Sequence, residues 1–285
     1  MEKDILDVYR KLGVKRAIDA HVHVELEKED QIATIKELGI DPSMDALKAE
    51  MKENGIERIV LLSEDDEENG RLAKMDFDRN KVLLGMYVDP FRTSSGGYLK
   101  TIEGYLKRGA FGALKLYPGY EYFDPSEEKC RPLFELAKQY SVPVVIHTGD
   151  THVEPGSDVK PKVKYARPYH VDDAAVEFPE VKFIIAHAGN PWVHDAAEVA
   201  YKNANVFVDI SGWFVGKADK RDIDVLKQNL SFLLSFCKAD KIIYGTDWPL
   251  VRMVDYLSFV QRNIKAKKDE LEKIMYKNAV NVFWK

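Results

Sequence analysis

Eight short apolar runs separated by segments of helical pattern, in a chain of 285 residues, predict an α/β protein built as a single (β/α)8 TIM barrel with extra C-terminal helices. The runs are apolar at nearly every position rather than at every second one. A strand needs that pattern when helices cover its outside and other side chains fill the barrel inside it. The length agrees, because such barrels occupy about 250 residues, and one domain over residues 1–285 is expected. No linker and no short-period repeat beyond the βα unit argues for a second domain.

The expected strands are residues 17–24, 58–63, 82–88, 113–117, 143–147, 182–187, 206–210 and 241–245. Between the first two, Asp41 with Pro42 marks a helix start and Gly55 its end. Gly109 closes a helical segment over 98–108. Asp124 with Pro125 is a further opening, although Pro132 delays or breaks the helix that follows. The longest interruption is 149–170, after the fifth run, where three prolines and several charges show no periodicity; loops of this length often wall a pocket or close over it. Beyond the eighth run, amphipathic segments over 254–264 and 268–284 are expected to cover the closing side.

Composition narrows the function classes. Hydrophobic residues at 45% and charged residues at 31% describe an ordinary globular chain, not a disordered or fibrous one. A net charge of -5 without a basic face argues against nucleic acid, and the acidic run 64–68 reads as a solvated loop. Cys130 and Cys237 form no CxxC or other metal-ligand spacing, which favours a reducing compartment over a disulfide framework. Residues 1–16 lack the apolar core of a signal peptide, and no run reaches the ~18 apolar residues of a membrane span, so a cytoplasmic protein without a membrane partner is expected. A homodimer through the outer helices or the Trp284 end stays open.

The chemistry collects at strand ends. His21 and His23 lie two apart on the first run, so their side chains share a face, and two imidazoles can hold one cation. Alone, this pair is weak evidence, read more readily as chance or a hydrogen-bonded core histidine than as a metal site. The fifth, sixth and eighth runs, however, lead into His147, His187 and Asp247. All strand ends of one sense converge on one rim of the barrel, and five separate capping accidents on that rim are a poor alternative to a site. Histidine nitrogens and a carboxylate suit Zn2+ first, with Mn2+, Fe2+ or Co2+ also accepted. Three histidines and Asp247 leave a position for a water whose pKa zinc can lower to ~7. His187, outside that set, is placed to exchange the proton.

Lys115 ends the fourth run. Three readings stand beside one another: a lysine carboxylated by CO2 that bridges two metals, an ammonium paired with a substrate carboxylate, or a buried structural ion pair. The loop after the fifth run supplies Asp150, His152, Lys160, Lys162, Lys164, Tyr165, Arg167 and His170. Exposed lysine is the default, so Tyr165 and Arg167 are the better substrate contacts, arginine because it grips a carboxylate through two parallel hydrogen bonds. Tyr117, Tyr120, Trp192, Trp213, Phe214 and Trp248 follow strands, where they wall a pocket or pack under loops.

Ile18-Asp19-Ala20-His21-Val22-His23, Phe178-Pro179-Glu180-Val181-Lys182-Phe183-Ile184-Ile185-Ala186-His187-Ala188-Gly189, Tyr244-Gly245-Thr246-Asp247-Trp248-Pro249 and Tyr276-Lys277-Asn278-Ala279 together resemble the amidohydrolase superfamily. The likeness is closest to the amidohydrolase-related (amidohydrolase 2) branch, which holds aminocarboxymuconate-semialdehyde decarboxylase together with hydrolases, lactonases and hydratases. It implies that His21, His23, His147 and Asp247 ligate a metal and that His187 is a catalytic histidine. It also implies that Lys115 sits where two-metal members carry a carboxylated lysine, although the branch leans to one metal. The resulting expectation is a metal-dependent hydrolase of a small carboxylate-bearing or cyclic substrate, with Asp247 and His187 catalytic and Lys115, Tyr117, Tyr165, Arg167, Trp192 and Trp213 contacting substrate. Non-oxidative decarboxylation of an unsaturated or aromatic acid is the alternative, and a metal-binding protein without turnover the reading from another class.

Overall fold

The computed structural model describes residues 8–9, 11, 13–24, 32–151, 153 and 158–284, so His152 lies outside the described residues. The eight runs form β1 (Ala17–Val22), β2 (Ile56–Leu62), β3 (Val82–Tyr87), β4 (Ala113–Leu116), β5 (Val144–Ile146), β6 (Phe183–Ile185), β7 (Val206–Asp209) and β8 (Ile242–Ile243). Each strand pairs in parallel with the next, in the order β1 to β8. The ring closes between β1 and the segment after β8: Ala20 N–H donates to the Tyr244 carbonyl (3.0 Å), Asp247 N–H to that of His21 (2.9 Å) and His23 N–H to that of Trp248 (2.7 Å). The eighth run keeps only two residues of regular strand because the chain beyond it bends towards β1, reaching a left-handed backbone at Asp247 (φ 70°).

Strand alternation sorts the side chains. Ile18, Val60, Leu83, Ala113, Val145, Ile184, Phe207 and Ile243 fill the barrel, and Ala279, Val282 and Phe283 of the last helix plug its lower end. The intervening residues, such as Ile59, Leu61, Leu114, Leu116, Val144 and Ile146, pack outward under the helices. That two-sided burial accounts for the apolar runs.

Helix signals hold with two adjustments. The first is at helix Met44–Glu53, where Ser43 is the cap: its Oγ accepts from Ala46 N–H, while Asp41 accepts from Ser43 N–H (2.9 Å) one step earlier. The second is the delayed helix, Arg131–Tyr140, whose Pro132 sits in the first turn, where a missing N–H is harmless. The closing segment is helical over Lys268–Glu272 and Asn278–Phe283, with a π turn at Lys273–Lys277 between them. There the buried Asn278 donates from Nδ2 to the carbonyls of Ala239 and Ile242 (both 2.7 Å), tying the plug to the foot of β8. No helix among the described residues is long and apolar enough to cross a membrane.

Candidate metal centre

Two residues beyond the apolar filling, the same inward positions change character. Val60 and Leu62 lead to Glu64, Gly85 to Tyr87, Ala113 to Lys115 and Tyr117, Val145 to His147, Phe207 to Asp209 and Ser211, and Ile243 to Gly245 and Asp247. A register shift between Asp19 and Val22 marks β1 where His21 and His23 join this upper layer. His187 arrives differently: its backbone is left-handed (φ 58°, ψ 16°), a conformation that costs a non-glycine residue about 1–2 kcal/mol. It is pinned there by its N–H on Asp209 Oδ1 (3.0 Å) and by the Trp213 indole N–H on its carbonyl (2.8 Å).

Each imidazole has one nitrogen anchored to an acceptor, which fixes where its lone pair points. His21 Nδ1–H donates to Asp209 Oδ2 (3.0 Å), His23 Nδ1–H to the Leu62 carbonyl (2.9 Å) and His147 Nε2–H to the Asp150 carbonyl (3.0 Å). His187 Nδ1 lies against two oxygens of Ser211, Oγ (3.0 Å) and the carbonyl (3.2 Å). The opposite nitrogens face one another. His187 Nε2 is 3.3 Å from His147 Nδ1, while His21 Nε2 and His23 Nε2 are each 3.5 Å from Asp247 Oδ1. His21, His187 and Asp247 bring one ligating atom each within 4.8 Å of one another, a grouping that takes in His187 and two of the four residues expected to ligate but not His23 or His147. Imidazole nitrogens and a carboxylate oxygen gathered on one space in this way, with the Lys115 ammonium 3.3 Å from His21 Nε2, make a donor set that suits a divalent ion of the borderline class.

Electrostatics favour that state for most members. Burial, the Lys115 ammonium and His187 depress His21, whose pKa falls to about 3, and burial, His187 and Lys115 also hold His147 well below its ordinary value. Both rings are therefore neutral, as ligation requires. Burial pushes the Asp247 carboxyl up, but His187, His23 and His21 outweigh it and hold it well below the usual carboxylate range. His23 differs: burial lowers it, yet Asp247 and Glu64 raise it above its ordinary value, so a proton on this pair competes with a cation. Lys115, fully buried with Nζ 3.3 Å from His21 Nε2, is drawn down to about 8, chiefly by burial.

The amidohydrolase family model matches residues 18–284, from the first strand to the last helix. The chain belongs to the amidohydrolase family. No curated protein matches this amidohydrolase, whereas solved structures share its fold at low identity. A Burkholderia multivorans amidohydrolase with bound zinc is 14% identical, with 94% of this chain and 99% of that one covered and a TM-score of 0.72. A probable 2-pyrone-4,6-dicarboxylic acid hydrolase from Acinetobacter baumannii, with citric acid bound, is 14% identical over 94% and 98% of the chains (TM-score 0.70). A 2,6-dihydroxybenzoate decarboxylase from Rhizobium is 17% identical over 94% and 98% (TM-score 0.67).

The expected substrate contacts of the amidohydrolase divide. Tyr117 stacks on His147 (ring centroids 5.7 Å apart) under the Lys115 ammonium, and Tyr120 meets the same imidazole edge-on. Trp213 is buried and serves His187 through its N–H. Arg167 donates to Asp195 (2.7 Å) and lies over Trp192, so both belong to a cluster between the fifth-strand loop and helix Val193–Lys202. Tyr165 is half-buried beside Lys164. The acidic run is not simply solvated. Glu68 is 4% exposed and accepts from Glu64 N–H, and Glu64 Oε1 reaches to 3.8 Å from His23 Nδ1.

Sequence reasoning passed over Asp19, Tyr87, Asp209, Ser211 and Gly212. Asp19, fully buried with its pKa raised to about 7 by burial, accepts from Thr246 N–H (2.9 Å) and its hydroxyl (2.5 Å), fastening β1 to the approach to Asp247. Asp209 ends an apolar run as His147 and His187 do, and the same reading would have found it. At Gly212 (φ 63°) an added Cβ would sit 2.6 Å from Asp247 Oδ2 and 2.7 Å from His187 Nδ1, so only glycine lets the backbone pass behind these two groups.

Proposed function

We propose that this amidohydrolase is a divalent-metal-dependent hydrolase that cleaves an amide, lactone or related bond in a small carboxylate-bearing or cyclic substrate. The observation that carries the reading is the turning of four imidazole lone pairs and a carboxylate oxygen into one buried space, with every opposite ring nitrogen anchored. His21, His23, His147 and Asp247 are the residues that would hold the ion, zinc by preference; the zinc-loaded Burkholderia structure supports that choice. Such an ion supplies Lewis acidity and a water of lowered pKa. His187 and Asp247 then carry the proton at Nε2 and the carboxylate. Lys115 pairs with an anionic group of the substrate, and Tyr117 offers a flat wall beside it. Trp213 holds His187 in place, whereas Arg167 and Trp192 sit in the cluster with Asp195 and Tyr165 lies beside Lys164.

Decarboxylation of an unsaturated or aromatic acid has its own support. It needs an acid able to protonate carbon and a cation for the carboxylate. Glu121, hydrogen-bonded to the Tyr87 hydroxyl, has its pKa pushed up to about 7 by burial, and Lys115 is the buried cation.

Elemental analysis of protein purified without added metal tests the centre, alongside His21→Ala, His147→Ala and Lys115→Ala. Near-stoichiometric zinc that vanishes in the histidine variants and survives loss of Lys115 is the expected result. Two metals sensitive to Lys115 would replace it with a two-metal centre, and no metal after reconstitution would end the reading. Lactones, amides and unsaturated acids are then screened with CO2 release recorded: turnover without CO2 marks the hydrolase, turnover with it the decarboxylase.

A further inference from the structure

Asp209 collects an unusual set of donors for one carboxylate. Oδ2 accepts from His21 Nδ1–H (3.0 Å), and Oδ1 accepts from the backbone N–H groups of His187 (3.0 Å) and Ser211 (3.1 Å) and from the Ser211 hydroxyl (2.5 Å). The Ser211 hydroxyl has one proton. While that proton is on Asp209, Oγ meets His187 Nδ1 (3.0 Å) only as an acceptor, and the Ser211 carbonyl at 3.2 Å accepts as well. Nδ1 must then carry the hydrogen, and Nε2 keeps its lone pair towards the centre. Reversing the imidazole would take the hydroxyl donor from Asp209 and set a nitrogen lone pair against the Ser211 carbonyl, in a site where both residues are buried.

We infer that Asp209 and Ser211 act as one positioning unit, a carboxylate on β7 that fixes His21 directly and His187 through the serine hydroxyl. One group thereby orients donors from β1 and from the turn after β6. The arrangement resolves a conflict, since in isolation His187 Nε2 and His147 Nδ1, 3.3 Å apart, would settle by hydrogen-bonding to each other. The His147 side is locked by its own bond to the Asp150 carbonyl, so the choice rests with Ser211. The inference deepens the proposed metal centre and rests on it only for the consequence on cation affinity; the tautomers follow from the hydrogen bonds alone.

Long-range 1H–15N spectra of histidine-labelled, metal-free protein at pH 8 read the tautomers, and calorimetry with Zn2+ reads affinity. Wild-type protein is expected to show His187 protonated at Nδ1. Ser211→Ala keeps the carbonyl acceptor at 3.2 Å but loses the hydroxyl, so the Nε2–H form of His187 should become populated beside the Nδ1–H form while His21 is unchanged. Asp209→Asn should disturb both rings and weaken Zn2+ binding by about 10- to 100-fold, the usual consequence of losing a carboxylate behind a ligating imidazole. Ser211→Thr, which keeps the hydroxyl, should restore the His187 signal. A wild-type His187 protonated at Nε2 overturns the inference whether or not any variant folds, as does a Ser211→Ala protein with unchanged tautomers. Wild-type protein that ignores Zn2+ but shows the expected tautomers would remove the metal reading and leave the positioning unit standing.

Discussion

The foot and the mouth of the barrel are lined by the same strands, often by residues two to four apart, and they are built on opposite principles. On β7, Phe207 packs in the apolar filling and Asp209 binds four donors; on β8, Ile243 is core and Asp247 faces the histidines. The foot is sealed by Ala279, Val282 and Phe283, and the buried Asn278 there has its amide donating to two carbonyls. The mouth instead turns imidazole nitrogens on one another, His187 Nε2 and His147 Nδ1 being 3.3 Å apart, and His187, Ala188 and Asp247 are in left-handed backbone. Such conformations persist only where surrounding contacts enforce them, and they collect where geometry serves function. The foot stabilises the fold, and the mouth spends some of that stability.

That contrast predicts opposite responses to substitution. The largest effect should come from Asp247→Asn, which keeps the shape and removes the charge facing His21 and His23. Turnover of the substrate found by screening should fall by ~10³-fold, in the range for loss of a proton-handling group. The thermal midpoint should stay within a few degrees, and a variant that unfolds without losing specific activity would break the contrast.

Gly212→Ala comes next, because it strikes both groups at once. The added methyl meets Asp247 and His187 at contacts no real side chain keeps, in a backbone conformation that disfavours alanine by about 1–2 kcal/mol. Zn2+ affinity should drop by roughly 100-fold and Tm by roughly 3–8 °C. An unchanged affinity would mean that Asp247 and His187 can move aside without harm.

At the other end, Asn278→Leu should leave Zn2+ affinity within about twofold, since distant sites act independently. It removes two buried hydrogen bonds, leaving the Ala239 carbonyl with the Ile242 N–H alone, a loss of about 1–3 kcal/mol that lowers Tm by several degrees. A large change in affinity here would show that the foot and the mouth are coupled.

How much of this was legible beforehand follows from the same contrast. Apolar runs report burial on both faces, so the eight strands could be read, and the runs leading into His147, His187 and Asp247 named those residues on the rim, while Asp209 on the seventh was passed over. His21, His23, His147, His187, Asp247 and Lys115 do meet there. Glu64 was read as solvated because it opens an acidic run, whereas alternation from Val60 and Leu62 carries it inward beside His23. Arg167 was expected to face a substrate carboxylate, yet it finds Asp195, 28 residues away, through a loop whose path no period encodes. Ser211 and Gly212 act by a close approach between backbone turns, which a single sequence does not display.

The smallest effect is a pH dependence at the mouth, on the β3–β4 side. Burial raises the Glu121 carboxyl from its ordinary 4.5 to about 7, with Asp89 and Asp66 adding to it and Tyr87 opposing. Because its folded pKa lies above its unfolded one, the residue is neutral and harmless below pH 4.5. It destabilises progressively as pH rises to about 7 and in full above that. Glu121→Gln removes the ionisation while its amide oxygen still accepts from Tyr87. The variant should match wild type at pH 4 and exceed it at pH 8 by on the order of 2 kcal/mol in chemical denaturation. Equal stability at both pH values would mean that Glu121 is ionised in the folded protein, and the acid that supports the decarboxylase reading would be gone.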